Sequence, residues 1–143
     1  MTSDFSLRAM NAVHRGILKI SGGRLGWHAA GMPMLDLTTT GRSSGARRSA
    51  MLSSPLQRDG SYLVVASRGG DDAHPAWYLN LVQDPRVEVV IGGAPAEQRI
   101  ARVATADEHA ELWPAITAVY RNYARYQEKT ARQIPLVFLD PVS

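Results

Sequence analysis

The first candidates for chemistry in this chain are arginines on a short, glycine-bounded turn. In the stretch LDLTTTGRSSGARR, Leu35 to Arg48, Gly41 and Gly45 bracket Arg42, Ser43 and Ser44, and Ala46 leads on to Arg47 and Arg48. Glycine permits positive φ and lets backbone amides turn outward, so hydroxyls, amides and guanidinium groups can converge on one anion. The competing reading is a basic hairpin tip surrounded by solvent. A second turn, Ser67-Arg68-Gly69-Gly70, again places a hydroxyl, a cation and flexible backbone directly after an apolar run, Val64 to Ala66. The third candidate is a phenolic row: Tyr120, Tyr123 and Tyr126 recur every third residue, which on a helix confines them to an arc of about 120°. Such a row can be plain amphipathic packing with hydroxyls at the rim, or it can wall a site for a flat ligand.

Other chemistries find less support. Gly41-Arg42-Ser43-Ser44-Gly45 spells the G-x-S-x-G of the serine-hydrolase elbow, but that motif needs a helix after it, then an acid and a histidine, whereas Ala46-Arg47-Arg48-Ser49 leads toward a strand. His14, His28, His74 and His109 are scattered, with no close partner at ligand spacing, so no metal is expected. The absence of cysteine excludes thiolate nucleophiles, disulfides and cysteine-ligated clusters, and fits a reducing cytoplasm. The glycines form neither G-x-G-x-x-G nor a P-loop. A formal charge of +3 over 143 residues is too modest to argue for nucleic acid, and an anionic small molecule accounts for the clustered arginines equally well.

The elements that must position these groups are legible from periodicity. Strands are expected at Leu35 to Thr40, Ser49 to Gln57, Ser61 to Ser67, Val87 to Ile91, Gln98 to Ala104 and Leu136 to Leu139. The first three are expected to form an antiparallel meander, with Pro55 marking an edge or bulge. Asp71 to Gln83 reads as a short helix, capped by Asp71 or Asp72, with Trp77 and Leu81 one turn apart on a common face. Thr105 and Glu108 have capping-box spacing at the head of a last helix in which Pro114 predicts a kink or restart, with Ala115 to Thr130 as its second part.

Before all of these, Leu7, Met10, Val13, Ile17 and Ile20 give Ser6 to Ile20 an amphipathic helix period. That helix could pack on the domain or rest on an anionic membrane surface. Residues 1–33 thus read as a helix plus glycine-rich loop, and 34–143 as the body of a single α+β domain of six antiparallel strands with flanking helices. No apolar run approaches the roughly 20 residues of a membrane span, so a cytoplasmic protein is expected, with membrane association through the first helix left open.

From Leu35 onward the chain resembles the deazaflavin-dependent nitroreductase family. The resemblance rests on LDLTTTGRSSGARR, VVASRGG at Val64 to Gly70, HPAWYLNL at His74 to Leu81, and the tyrosine row followed by Ile134-Pro135. It implies a split β-barrel related to FMN-binding flavoproteins and a site for coenzyme F420. Arg42, Ser43, Ser44, Gly45, Ala46, Arg47 and Arg48 would then hold the coenzyme's phosphate and acidic tail. Val65, Ala66, Ser67, Arg68 and Gly69 would line its ring and linker, with Trp77, Tyr78 and Asn80 on the same wall. Tyr123 would face the deazaflavin, and Tyr120 and Tyr126 the second substrate.

Two departures matter: Ser43 and Arg68 stand where members of that family often carry lysine. The implied activity is hydride transfer to a quinone, nitroaromatic compound or α,β-unsaturated carbonyl, with a homodimer open as the assembly. A non-catalytic F420 carrier and an FMN-dependent oxidoreductase on the same barrel are the alternatives.

Overall fold

The computed structural model describes residues 28–29 and 32–142. The helix expected over Ser6 to Ile20, and with it the question of lipid contact, lies outside the described residues.

Eight strands are present among the described residues: β1 (His28–Ala29), β2 (Met32–Thr40), β3 (Arg47–Ser53), β4 (Leu56–Arg58), β5 (Ser61–Val65), β6 (Arg86–Ile91), β7 (Glu97–Val103) and β8 (Leu136–Pro141). Three helices accompany them: α1 (Ala76–Gln83), α2 (Ala106–Val119) and α3 (Arg121–Glu128). Every pairing is antiparallel, and the sheet runs β3, β2, β6, β7, β8, β5, β4, with β1 pairing with the start of β2.

The two strands at the ends of that order, β3 and β4, are consecutive in the chain. Ser54 and Pro55 join them, so one covalent bend closes the sheet into a split barrel. Ser54 is fully buried and bonded on each of its polar groups. Ser54 donates its amide to Pro33 O (2.9 Å) and its hydroxyl to Leu56 O (3.0 Å), and Gln57 Nε2 donates to Ser54 O (2.9 Å). This corrects two expectations. The strand expected over Ser49 to Gln57 is two strands, which with β1 raises the count above six. The strand at Ser61–Val65 does not pair with β3; it lies between β4 and β8. A strand read as one run of residues has bent at Pro55, where proline cannot donate to a ladder, and its halves serve opposite ends of the sheet.

The core divides by pleat. Leu35, Leu37, Val64, Val87, Val89, Val137 and Leu139 fill the barrel with Leu81 of α1. Leu63, Val65, Leu136 and Phe138 face the other way, against Leu112 and Ile116 of α2, Tyr123 of α3 and Met32. Strands β5 and β8 are therefore buried on both faces, the reason for their unbroken apolar runs. Each leucine fully buried there is worth about 1.5–3 kcal/mol relative to exposure.

The helices also depart from expectation. The Thr105–Glu108 capping box forms, its side chains bonding each other's backbone amides. Pro114 does not break α2. The break comes at Tyr120, whose φ −115° and ψ 84° are not helical, and α3 restarts from there. Helix α1 begins at Ala76 with Pro75 as its N-cap. Asp71 does not cap it and instead accepts a bond from the amide of Ala73 (3.0 Å) in the preceding loop.

Candidate active site

The arginine turn is closed by its own backbone: Gly45 N donates to Gly41 O (2.8 Å) and Gly41 N to Ala46 O (2.7 Å), with Gly45 at φ +73° where other residues are strained. The hydroxyl of Ser44 is used inside the turn, accepting from Ala46 N (3.1 Å). The turn is fixed to α1 by Asn80, which is 3% exposed. Its Oδ1 accepts both the backbone N–H of Arg42 (3.1 Å) and Arg42 Nη1 (2.9 Å), while its Nδ2 donates to Thr39 Oγ1 (3.1 Å).

The second turn follows β5. Arg68, Gly69 and Gly70 all have positive φ, at 46°, 64° and 86°. At Gly70 the reason is close approach as well as turn geometry: a Cβ there would lie 2.6 Å from Tyr126 O. The loop is thus pressed against α3, with the Arg68 guanidinium 3.4 Å from Asp71 in a largely buried pair.

Arg132 braces the loop from behind. Its Nε donates to Asp71 O (2.8 Å), Nη2 to Ser67 O (2.8 Å) and Nη1 to Ala66 O (3.1 Å), and Nη1 also meets His74 Nδ1 at 3.1 Å. Burial moves the Arg132 pKa down from its ordinary value.

The third wall is α3. Tyr123 is buried, its ring edge-on to Tyr120 and Tyr126, with centroids 6.5 and 6.2 Å away. Among the described residues its hydroxyl reaches only the thioether of Met32, at 3.6 Å. Burial first, and then the neighbouring Tyr126 and Tyr120, raise its pKa well above the ordinary 10.0, so the phenol keeps its proton throughout the physiological range.

These walls enclose an open cleft of about 1210 Å³. Its long side is β3, which among the described residues pairs only with β2 and lines the cleft from Arg48 to Ser53. Met32 and the Gly41 turn, at opposite ends of β2, both line it; eight strand steps separate Met32 from Thr40, or about 26 Å. One end carries Arg42, Ser43 and Arg48; the other carries Met32, Val65, Tyr123 and Tyr126, with Trp77 and Asn80 on the α1 side.

Of the residues singled out from sequence, Arg42, Ser43, Ser44, Arg48, Val65, Ser67, Arg68, Gly69, Trp77, Asn80, Tyr123 and Tyr126 border this space. Six do not. Gly45 and Ala46 form the back of the turn, and Arg47 turns aside to Thr40 Oγ1 (2.7 Å). Ala66 is fully buried behind the wall, Tyr78 packs beside His74 and the barrel core, and Tyr120 packs against the outer core cluster. Sequence reasoning missed Met32, the inner face of β3, His74, Asn122 and Arg132. The β3 residues carried a legible signal, since a strand following the arginine turn must run past whatever the turn holds. Arg132 carried none.

The arrangement suits an elongated ligand with an acidic end and a flat end. Guanidinium groups and hydroxyls lie at one end, an apolar and aromatic surface at the other, and a cleft larger than the usual 300–1,000 Å³ or so of small-molecule sites has room for a second reactant. These are the needs of a deazaflavin whose acidic tail is anchored away from its ring.

Comparison with known proteins gives the same assignment. The family model described as F420H(2)-dependent quinone reductase matches residues 10–141. An F420H(2)-dependent quinone reductase of Mycobacterium tuberculosis (strain ATCC 25618 / H37Rv) is 38% identical over 137 residues, covering 93% of this chain and 88% of that protein. Among solved structures, an F420-H2 dependent reductase, FDR-A, superimposes with a TM-score of 0.65 at 38% identity, covering 76% of this chain and 94% of that one. Another, described as a domain-swapped dimer, gives a TM-score of 0.68 at 34% identity over 92% of this chain and 99% of that one. The chain belongs to the F420H(2)-dependent quinone reductase family, with coenzyme F420 as its cofactor.

Proposed function

We propose that this chain transfers a hydride from reduced F420 to a quinone held against the tyrosine wall, and that flat nitroaromatic and α,β-unsaturated carbonyl compounds enter the same place. The observation that carries this reading is the polarity of the cleft along β2 and β3, with arginines at the Gly41 end and phenols at the Met32 end. Bound F420 supplies the hydride. The residues of the chain bind, orient and donate. Arg42, held by Asn80, and Arg48 bind the acidic tail; Val65, Ser67, Gly69 and Trp77 shape the wall for the ring.

Tyr123 is the proton-bearing group best placed for the acceptor. Its pKa is raised, so its O–H is a hydrogen-bond donor rather than a phenolate, and its thioether contact is weak enough to be exchanged for an acceptor oxygen. Tyr126 borders the cleft beside it, whereas Tyr120 supports Tyr123 from the core side.

The test mixes the protein with reduced F420 and menadione while deazaflavin absorbance is followed. Coenzyme oxidation that depends on protein and acceptor supports the proposal. Binding without oxidation across quinone, nitro and enone acceptors makes the chain a carrier, and a preparation loaded with FMN that ignores F420 overturns the reading. The similar structure described as a domain-swapped dimer makes a homodimer the assembly to look for by sedimentation. No helix among the described residues is long and apolar enough to cross a membrane.

A further inference from the structure

His74 carries a chemistry that the reading above leaves unused. A guanidinium has donors and no acceptor, so the ring nitrogen that meets Arg132 Nη1 at 3.1 Å must offer a lone pair. Nδ1 is that nitrogen, which leaves the imidazole neutral with its proton on Nε2. The charges and rings around it agree: Arg132 lies on one side, Tyr78 of α1 at 4.7 Å between centroids, and the Arg68–Asp71 pair across the loop that Arg132 braces. Burial first, then the Arg132 charge, hold the His74 pKa below its ordinary 6.5. His74 borders the cleft immediately before Pro75, and the guanidinium that fixes its tautomer also holds the carbonyl of Ser67 on the same wall.

We propose that His74 is a coenzyme-binding residue whose Nε2–H, selected by Arg132, donates a hydrogen bond to an oxygen of bound F420 beside Ser67. The proposal rests on the cleft being the F420 site. A neutral donor at this place binds an oxygen without adding charge near the ring.

The test combines F420 binding, followed by fluorescence, with ring-nitrogen NMR of His74 in the full chain. In the wild type His74 should show the Nε2–H tautomer at neutral pH. His74→Phe, which keeps ring bulk and loses the donor, should raise the Kd for F420 about tenfold; His74→Gln, which restores an N–H near that place, should bind within about threefold of wild type. Thermal unfolding of the two variants should agree, which separates lost binding from lost folding. In Arg132→Met, which removes both the donor and the charge, the preference for the Nε2–H tautomer should weaken and the His74 pKa should rise toward its ordinary value.

A His74→Phe variant that binds F420 like wild type, an Nδ1–H tautomer, or an effect confined to the KM of the quinone would overturn the proposal while leaving the F420 site standing. Wild-type protein that fails to bind F420 would remove both.

Discussion

Asn80 Oδ1 accepts two hydrogen bonds from Arg42, one from its backbone N–H at 3.1 Å and one from Nη1 at 2.9 Å. A single buried amide thereby sets both the path of the arginine turn and the aim of its first guanidinium. Asn80→Ala removes three bonds at once, counting the one to Thr39. It should lower stability by about 1–3 kcal/mol and weaken F420 binding by about tenfold or more. Denaturant unfolding and coenzyme titration of the same preparation check both. Intact binding in a destabilised variant would detach the turn from the coenzyme.

The arginines are not equivalent. Arg48 borders the cleft while Arg47 turns to Thr40 Oγ1. Loss of a charge-assisted contact worth about 1.5–3 kcal/mol should raise the Kd for F420 about tenfold to a hundredfold in Arg48→Ala, with Arg47→Ala close to wild type. Equal effects from the two would mean that net charge, rather than placement, draws the coenzyme in; repeating the titration at high salt separates the two causes.

Gly70 is where the second turn meets α3. A Cβ there would stand 2.6 Å from Tyr126 O and 2.9 Å from Tyr126 Cα, with φ at +86°. Both partner atoms are backbone and cannot rotate away, so Gly70→Ala should cost about 1–3 kcal/mol or more and displace Tyr126 from the cleft. Gly45→Ala, where φ is +73° but nothing lies within 4 Å, is the comparison: conformational strain without collision, and a smaller loss on thermal unfolding.

For Tyr123 the raised pKa gives a sign. Burial disfavours the phenolate, so the folded chain keeps this proton after a free tyrosine, with a pKa near 10, has lost it. The unfolded state then releases a proton that the native state retains, and stability falls as pH climbs past about 10. Tyr123→Phe should remove part of that alkaline loss in a pH series of unfolding curves. Because among the described residues the hydroxyl meets only a thioether, the same variant should change neutral-pH stability by less than about 1 kcal/mol, and a fall in kcat would then report a role in the reaction.

The acid side is set in part by the capping box of α2. Glu108 accepts from the Thr105 amide first and from Arg102 second, both lowering its pKa from the ordinary 4.5. Its contribution is present above that value and lost as pH falls through the lower folded value. Glu108→Gln should flatten the acid limb of a plot of Tm against pH, and Thr105→Ala should cost about 1 kcal/mol at neutral pH.

Much of the barrel could be read from the chain because alternation survives folding. Leu37 and Thr39 are buried between more exposed neighbours, and the continuous run at Leu136 to Leu139 is buried on both faces. The cap at Thr105 is local and was equally legible. What escaped was non-local. Whether Pro55 marks a bulge or divides a strand depends on β4 finding β5, and the break at Tyr120 rather than Pro114 accompanies the burial of Tyr123 against Met32. Motif resemblance gathered twelve cleft residues but could not separate Arg48 from Arg47, or Tyr126 from Tyr120, since direction is a property of the folded turn and helix. Arg132 acts through carbonyls far away in sequence, and nothing in the pattern around it distinguishes it from a solvated arginine.

The central claim is that the arginine end of the cleft anchors F420 through its acidic tail. The most direct test is a paired titration of wild type and Arg48→Ala with F420 and with FMN, which lacks that tail. Wild type should bind F420 in clear preference to FMN, and Arg48→Ala should lose most of that preference. Equal affinities for the two flavins in wild type, or a preference that survives the substitution intact, would contradict the assignment of that end of the cleft.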